Sequence, residues 1–283
     1  MHLLAAACIS ACVFSASALA QGPEPAPSSR VVSVDLCADA YVMALSGHNT
    51  IAAMSWQAGD PVSGVSGPAL DLPRTGQDAE DILGFEPDIV LYGPGGPGRA
   101  LPILDAAGVE AVTLEWGEDF AVIGRNMRHV GEAFATLAIA DDFIAEMDAR
   151  LAALEARSEA RGYRPSVFYL SASGGTAGSG TLVDAAIQAA GGRNAATEAG
   201  AQGWTPADPE WALRVEPDLV VTSYFRDGYN SINNTGIRHS AFRDLLNRTP
   251  RVDVASSAWS CAGPRLILAA EAIADAFDAL EAE

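Results

Sequence analysis

One nine-residue segment occurs twice in this chain. Glu80-Asp81-Ile82-Leu83-Gly84-Phe85-Glu86-Pro87-Asp88 runs into the apolar triplet Ile89-Val90-Leu91, and 130 residues later Glu210-Trp211-Ala212-Leu213-Arg214-Val215-Glu216-Pro217-Asp218 runs into Leu219-Val220-Val221. Each copy reads as a short helix that its proline ends, followed by a buried strand. Asp78 and Asp208 are placed to cap the two helices, which puts Glu80 and Glu210 in their first turns. A carboxylate there stabilises a helix by roughly 0.3–1 kcal/mol through its dipole. That accounts for one such residue but not for a matched pair at equivalent places, so the repeat predicts two similar lobes.

The rest of the chain follows the same plan. Val31–Val34 reads as a buried strand, Ala38–Leu45 as a helix closed by Gly47, and Ile51–Ser55 as a second strand. Gln57–Pro73, rich in Gly, Pro and Ser, reads as a long loop, which in a compact domain is more often functional than idle. Ile89–Tyr92 (strand), Arg99–Ala107 (helix) and Val109–Leu114 (strand) complete an α/β lobe with a mainly parallel sheet over residues 30–118. The pattern restarts with the strand Val167–Leu170, the helix Leu182–Ala190, the strand Leu219–Thr222, the helix Phe242–Asn247, the strand Val252–Ala255 and the closing helix Leu266–Leu280, a second lobe over residues 163–283.

Between the lobes the composition shifts. Asn126–Arg161 has no proline and only Gly131, which predicts one long helix, or two nearly collinear ones, within a linker of residues 119–162. Ile139, Phe143, Met147, Leu151 and Leu154 recur at spacings of three and four, so one face is expected to be buried.

The first twenty residues carry no Asp, Glu, Lys or Arg and end Ala18-Leu19-Ala20-Gln21, the pattern of a cleavable export signal. Residues 21–29, with Pro23, Pro25 and Pro27, read as an extended spacer. Ile9-Ser10-Ala11-Cys12 resembles a lipoprotein cleavage box, the lesser reading because the apolar run before Cys12 is very short. Removing the signal leaves the net charge of -19 unchanged, which argues against nucleic acid and anionic membrane surfaces as partners. It also leaves two cysteines, Cys37 and Cys261, which in an oxidising compartment either form one disulfide or remain two buried thiols.

Catalytic templates are not met. His48, His129 and His239 are scattered without metal-ligand spacing, so no metal site is expected. No G-x-S-x-G elbow or H-E-x-x-H is present, and neither Gly93–Gly98 nor Gly174–Gly180 has nucleotide-loop spacing; both read as flexible cleft loops. The alternative to a binding protein is a secreted enzyme acting on a chelate or ester with Cys37 in the cleft; a third class, an adhesion module, fits the long inter-lobe helix poorly.

The opening strand, Gly76–Asp88, the linker, Trp204–Asp218 and Trp259–Ala270 together resemble the substrate-binding proteins of ABC importers for ferric siderophores, haem and cobalamin. The resemblance implies an α/β fold of two Rossmann-like lobes with mainly parallel sheets joined by a long helix, the helical-backbone periplasmic binding protein fold. It further implies a monomeric, periplasmic, non-enzymatic protein without a cofactor, whose small-molecule ligand is itself an iron complex or corrinoid. A permease dimer in the inner membrane is the implied protein partner, with Glu80 and Glu210 docking against its arginines.

In open parallel sheets ligands bind beyond the carboxyl ends of the strands. The ligand-contacting candidates are therefore Asp35, Trp56, Arg74, Tyr92, Ser173, Trp204, Tyr224, Arg226 and Trp259, of which Trp204 and Trp259 match aromatic cleft positions of the family. Arg74 precedes Glu80 by six residues, as Trp204 precedes Glu210, so the two are expected to face one another across the cleft. Arg74 and Arg226 would suit an anionic ligand, which leans toward ferric siderophore or haem.

Overall fold

A computed structural model describes residues 28–223, 239–259 and 261–281. The first sheet is built from β1 (Arg30–Ser33), β2 (Thr50–Ser55), β3 (Arg74–Thr75), β4 (Ile89–Tyr92) and β5 (Glu110–Thr113), in the order β3-β2-β1-β4-β5. All its pairings are parallel. The helices α1 (Leu36–Leu45), α2 (Ala79–Leu83) and α3 (Leu101–Ala106) connect these strands. The second sheet contains β6 (Ser166–Ser171), β8 (Arg193–Asn194), β10 (Leu219–Ser223) and β11 (Arg251–Asp253), again parallel, in the order β11-β10-β6-β8. A separate antiparallel ribbon pairs β7 (Gly175–Ala177) with β9 (Trp204–Pro206). Gly174–Gly180, read from the sequence as a flexible loop, thus holds a strand tied to β9.

The repeat has a structural explanation at its last residue. Asp88 accepts the Arg30 amide at 2.7 Å through Oδ2, and its own amide donates to the Arg30 carbonyl at 2.9 Å. Asp218 makes the same two bonds with Ser166, at 2.7 Å and 2.9 Å. In each lobe the aspartate pins the start of one central strand to the start of its neighbour. The correspondence extends to a carbonyl three residues earlier. Phe85 accepts the Arg30 guanidinium at 2.8 Å and Val215 accepts Arg248 at 3.1 Å, so the two lobes cap the same position with different arginines. Only one of the predicted caps forms, because Asp208 accepts the Glu210 amide at 2.8 Å while the Asp78 side chain makes no cap bond.

The linker departs from expectation. It forms α4 (Phe120–Ala133), capped by Asp119, and α5 (Leu137–Arg161), ended by Gly162 in the left-handed region at φ 73°. Thirteen residues along one straight helix span about 20 Å, yet Arg128 Nε on α4 lies 3.0 Å from Asp141 on α5. The helices therefore fold back on each other rather than running collinear. Ala135 at φ 53° makes the corner, and Gly131 permits the close approach, since a Cβ there would lie 2.8 Å from that of Ala140. On α5, Met147 and Leu154 are buried and Phe143 and Leu151 partly so, but Ile139 is exposed.

α4 packs on α1 of the first lobe, and α5 packs on α10 (Leu266–Glu281) of the second. Arg150 pairs with Glu271 at 2.7 Å, Arg157 with Asp275 at 2.8 Å, and Arg161 with Asp278 at 3.0 Å, a ladder that fixes α5 to α10. One apolar core runs through both lobes, containing Tyr41, Phe134, Tyr169 and Phe277. Each sheet's other face carries its own smaller cluster, around Val32, Val90 and Leu104 in the first lobe and Phe168, Val220 and Phe242 in the second.

Candidate functional site

A cavity of about 260 Å³ lies between the lobes. Cys37 and Tyr41 of α1 and Trp116 and Glu118 beyond β5 line it from one side, and Trp204 and Trp259 from the other. A second hollow of about 360 Å³ opens over Ser171, Ser173 and Thr176, with Trp204 as the wall shared by both. Trp204 is 53% exposed and rests its ring edge-on against Tyr169 at 6.1 Å, so one indole is held in place while its surface stays open. Trp116 is 73% exposed. Trp259 is buried and also edge-on to Tyr169, at 6.0 Å.

Cys37 and Cys261 are joined as a disulfide with their Cα atoms 5.6 Å apart, and both half-cystines border the cavity. Of the two possibilities open in the sequence, the structure has the bond. Close by, the Tyr41 hydroxyl donates to the Ala262 carbonyl at 3.1 Å.

Among the described residues, the charged groups of the cavity wall are the carboxylates of Glu115 and Glu118. Arg125 grips Glu115 with two bonds of 2.8 and 2.9 Å and holds its carboxyl below the usual range. Glu118 accepts the Leu182 amide at 2.9 Å at the start of α6 (Leu182–Ala189), bridging from the first lobe to the second. Asn126 of α4 steadies this stretch by bonding the Glu115 amide at 2.7 Å and its carbonyl at 3.1 Å.

The other sequence candidates fall differently. Asp35 is the cap of α1: it accepts the amides of Cys37 and Ala38 at 3.0 Å and that of Gly93 at 2.6 Å, so its carboxylate holds the ends of β1 and β4 together. Gly93 is required there, because an added Cβ would lie 2.7 Å from the carboxylate. Tyr92 is buried, and its phenol, pushed up to about 12 by burial and then by Asp35, has no hydrogen-bond partner among the described residues. Trp56 is exposed but outside the cavity lining.

Arg74 is not among the residues that line the cavity with Trp204. Its guanidinium donates to the Ala69 and Leu70 carbonyls at 3.3 and 2.8 Å, and its strand pairs in parallel with β2, whereas that of Trp204 pairs antiparallel with β7. Ser173 is exposed and 3.0 Å from the Ser171 hydroxyl. Tyr224 and Arg226 lie outside the described residues, as do residues 1–27.

Glu80 and Glu210 are both exposed in the first turns of α2 and of α8 (Pro209–Ala212). Trp211, next to Glu210, packs edge-on to Phe168 at 5.2 Å, away from the cleft. Among the described residues no group of His, Cys, Asp and Glu is arranged to hold a metal ion, and no helix is long and apolar enough to cross a membrane. Trp116 and Glu118 are the residues that sequence reasoning missed. Trp116 closely follows the predicted strand Val109–Leu114, the position where ligands of parallel sheets bind.

Two parallel-sheet lobes on a helical backbone, with a cleft past the strand ends, define a two-lobed binding protein. The chain belongs to the periplasmic binding protein family, whose model matches residues 31–251. Cobalamin-binding protein of Halobacterium salinarum is similar at 29% identity over 188 residues, which is 61% of this chain and 51% of that protein. The chain thus spans about half the length of the curated relatives it matches. The apo periplasmic heme-binding protein RhuT of Roseiflexus sp. RS-1 superposes with a TM-score of 0.69 over 90% of this chain and 99% of its own, at 24% identity. The periplasmic vitamin B12-binding protein BtuF of Vibrio cholerae does so with 0.63 over 91% and 99%, at 20% identity. At these identities the solved structures establish the fold.

Proposed function

We propose that this protein is the extracytoplasmic solute-binding component of an ABC importer and that its cargo is an uncharged corrinoid. The observation that carries the reading is the inter-lobe cavity, whose wall offers exposed Trp116 and Trp204 while its charged lining groups among the described residues are carboxylates. Open indoles suit a broad, largely apolar ring. Ferric catecholates and the propionates of haem bring negative charge toward Glu118, whereas the periphery of cobalamin carries neutral amides. The arginine argument for an anionic cargo loses Arg74, which is bonded to backbone carbonyls. The similarity to a cobalamin-binding protein supports the same choice.

The protein acts as a monomer in the periplasm, without catalysis or a resident cofactor, and hands its cargo to a permease dimer that Glu80 and Glu210 engage. Exposed carboxylates of this kind govern orientation and encounter rate more than affinity. The test is a tryptophan-fluorescence titration of the protein lacking residues 1–20 with cyanocobalamin, hemin, a ferric hydroxamate and a ferric catecholate. Saturation at one equivalent by cyanocobalamin alone is expected. Saturation by the catecholate or hemin instead overturns the charge argument, and no saturation by any of them overturns the cargo class.

A further inference from the structure

The backbone passes from the first lobe to the second through α4 and α5, at the back of the molecule. We infer that the Cys37–Cys261 disulfide is a second, redox-releasable crossing that locks the two lobes at the cleft. Cys37 belongs to the first turn of α1, which packs against β1, β2 and β4 of the first lobe. Cys261 opens the segment leading into α10, which packs against α6, β10 and β11 of the second lobe. At a sequence separation of 224, the bond closes a covalent ring through both lobes and the linker.

The bond sits in a larger strap. Tyr41 donates to the Ala262 carbonyl at 3.1 Å. Arg265 reaches over Gly64 of the first lobe, where an added Cβ would stand 2.8 Å from its Cδ, and its Nη2 lies 3.4 Å from the Ser257 hydroxyl. Cys261 through Arg265 therefore grips α1 and the loop before β3 together. A linkage through the helical corner, helped at the cleft only by noncovalent contacts such as that of Glu118 with the Leu182 amide, leaves the lobes able to rotate about that corner. A second attachment at the cleft removes the rotation, so the oxidised protein holds its cleft preformed.

Both half-cystines border the cavity, so a dithiol reductant entering the empty cleft meets the bond directly. One thiolate of the reductant attacks a Sγ, the protein S–S bond breaks and a mixed disulfide forms. The second thiolate then displaces the protein sulfur, leaving an oxidised cyclic reductant and two protein thiols. The freed lobes open about the α4–α5 corner. This inference does not depend on the identity of the cargo.

The test is hydrogen exchange by mass spectrometry on three samples: oxidised protein, protein reduced with dithiothreitol, and Cys37→Ser/Cys261→Ser. The expected result is exchange faster by about ten-fold or more at residues 36–41 and 261–266 in the second and third samples, with β1 and β6 as protected as before and a larger radius of gyration by small-angle scattering. Equal protection of the strap in oxidised and reduced protein overturns the lock. Uniform loss of protection that includes β1 and β6 also overturns it, because the bond would then be a general brace. A cyanocobalamin titration adds a reading of consequence: if reduction leaves the preformed cleft populated about a tenth of the time, the apparent dissociation constant rises about ten-fold. Strap loosening without cyanocobalamin binding in any sample leaves the lock standing and refutes the cargo instead.

Discussion

Replacing Asp88 and Asp218 by alanine tests the strand-pinning origin of the repeat. Each substitution deletes one bond from a backbone amide to a carboxylate, Arg30 to Asp88 and Ser166 to Asp218, both 2.7 Å long, and leaves the backbone bonds of 2.9 Å in place. A hydrogen bond to a charged group is worth about 1.5–3 kcal/mol. Both pairs are solvent-exposed, which brings the expected cost to about 1–2 kcal/mol each once screening is allowed for. At this chain length that is a fall in Tm of roughly 2–8 °C per variant. The two sites lie in different sheets and share no partner, so the double variant should lose the sum within about 0.5 kcal/mol. Asparagine keeps an acceptor oxygen, and Asp88→Asn and Asp218→Asn should each lose less than half as much. The assay is urea unfolding followed by circular dichroism, with cyanocobalamin binding measured on the folded variants. Binding should not change, because both pins sit at the amino ends of the strands, away from the cavity. A large loss for one alanine variant with none for the other refutes equivalent pins, and so does an asparagine variant as damaging as its alanine counterpart.

Reversing both docking carboxylates, Glu80→Arg with Glu210→Arg, should abolish uptake in cells while lowering Tm by only roughly 1–8 °C, since each exposed helix-start carboxylate contributes about 0.3–1 kcal/mol; normal uptake by the folded variant refutes the docking role. Trp204→Ala should lower cyanocobalamin affinity at least ten-fold with little change in stability, since the ring is half exposed and contributes a single edge contact to Tyr169, and unchanged affinity removes this indole from the site. Asp39 is buried and accepts the Ser55 amide at 3.0 Å and the Ser55 hydroxyl at 2.6 Å, and burial raises its pKa despite those bonds. A folded pKa above the unfolded one favours the protonated native state, so the wild type should gain stability relative to Asp39→Asn as pH falls from 7 toward 4; a gap that widens in the other direction contradicts the raised pKa. With a net charge of -19, the Tm should rise with added sodium chloride as self-repulsion is screened, which a salt series from low ionic strength measures.

Periodicity carried the sheets and most helices because buried parallel strands leave uninterrupted apolar runs such as Ile89–Tyr92 and Leu219–Thr222. The bend in the linker was hidden because its left-handed residue is Ala135, with neither glycine nor proline at the corner to announce it. The informative residue was Gly131, whose missing side chain is needed for helix contact rather than for a turn. Arg74 and Trp204 show that equal sequence offsets are not equal structural settings. Six residues before the first copy of the repeat lies an edge strand of a parallel sheet, and six before the second lies half of an antiparallel ribbon. Trp116 was within reach, since it follows a predicted strand, but Glu118 was not, because its place in the cleft comes from a bond to α6 of the other lobe.

The repeat also contains a geometric argument that links capture to delivery. In parallel α/β units the helix between two strands runs opposite to them, so its amino end lies toward the carboxyl edge of the sheet. α2 precedes β4 and α8 precedes β10, each ending just before the aspartate that pins its strand at the amino edge. Glu80 and Glu210, in the first turns of these helices, therefore stand toward the carboxyl edges of the two sheets, the edges that flank the cleft. A partner that engages both carboxylates at once must span the lobes on the side where the cleft opens. The same nine residues thus place a stabilising aspartate away from the cleft and an exposed carboxylate toward it, which is the arrangement that the proposed docking role requires.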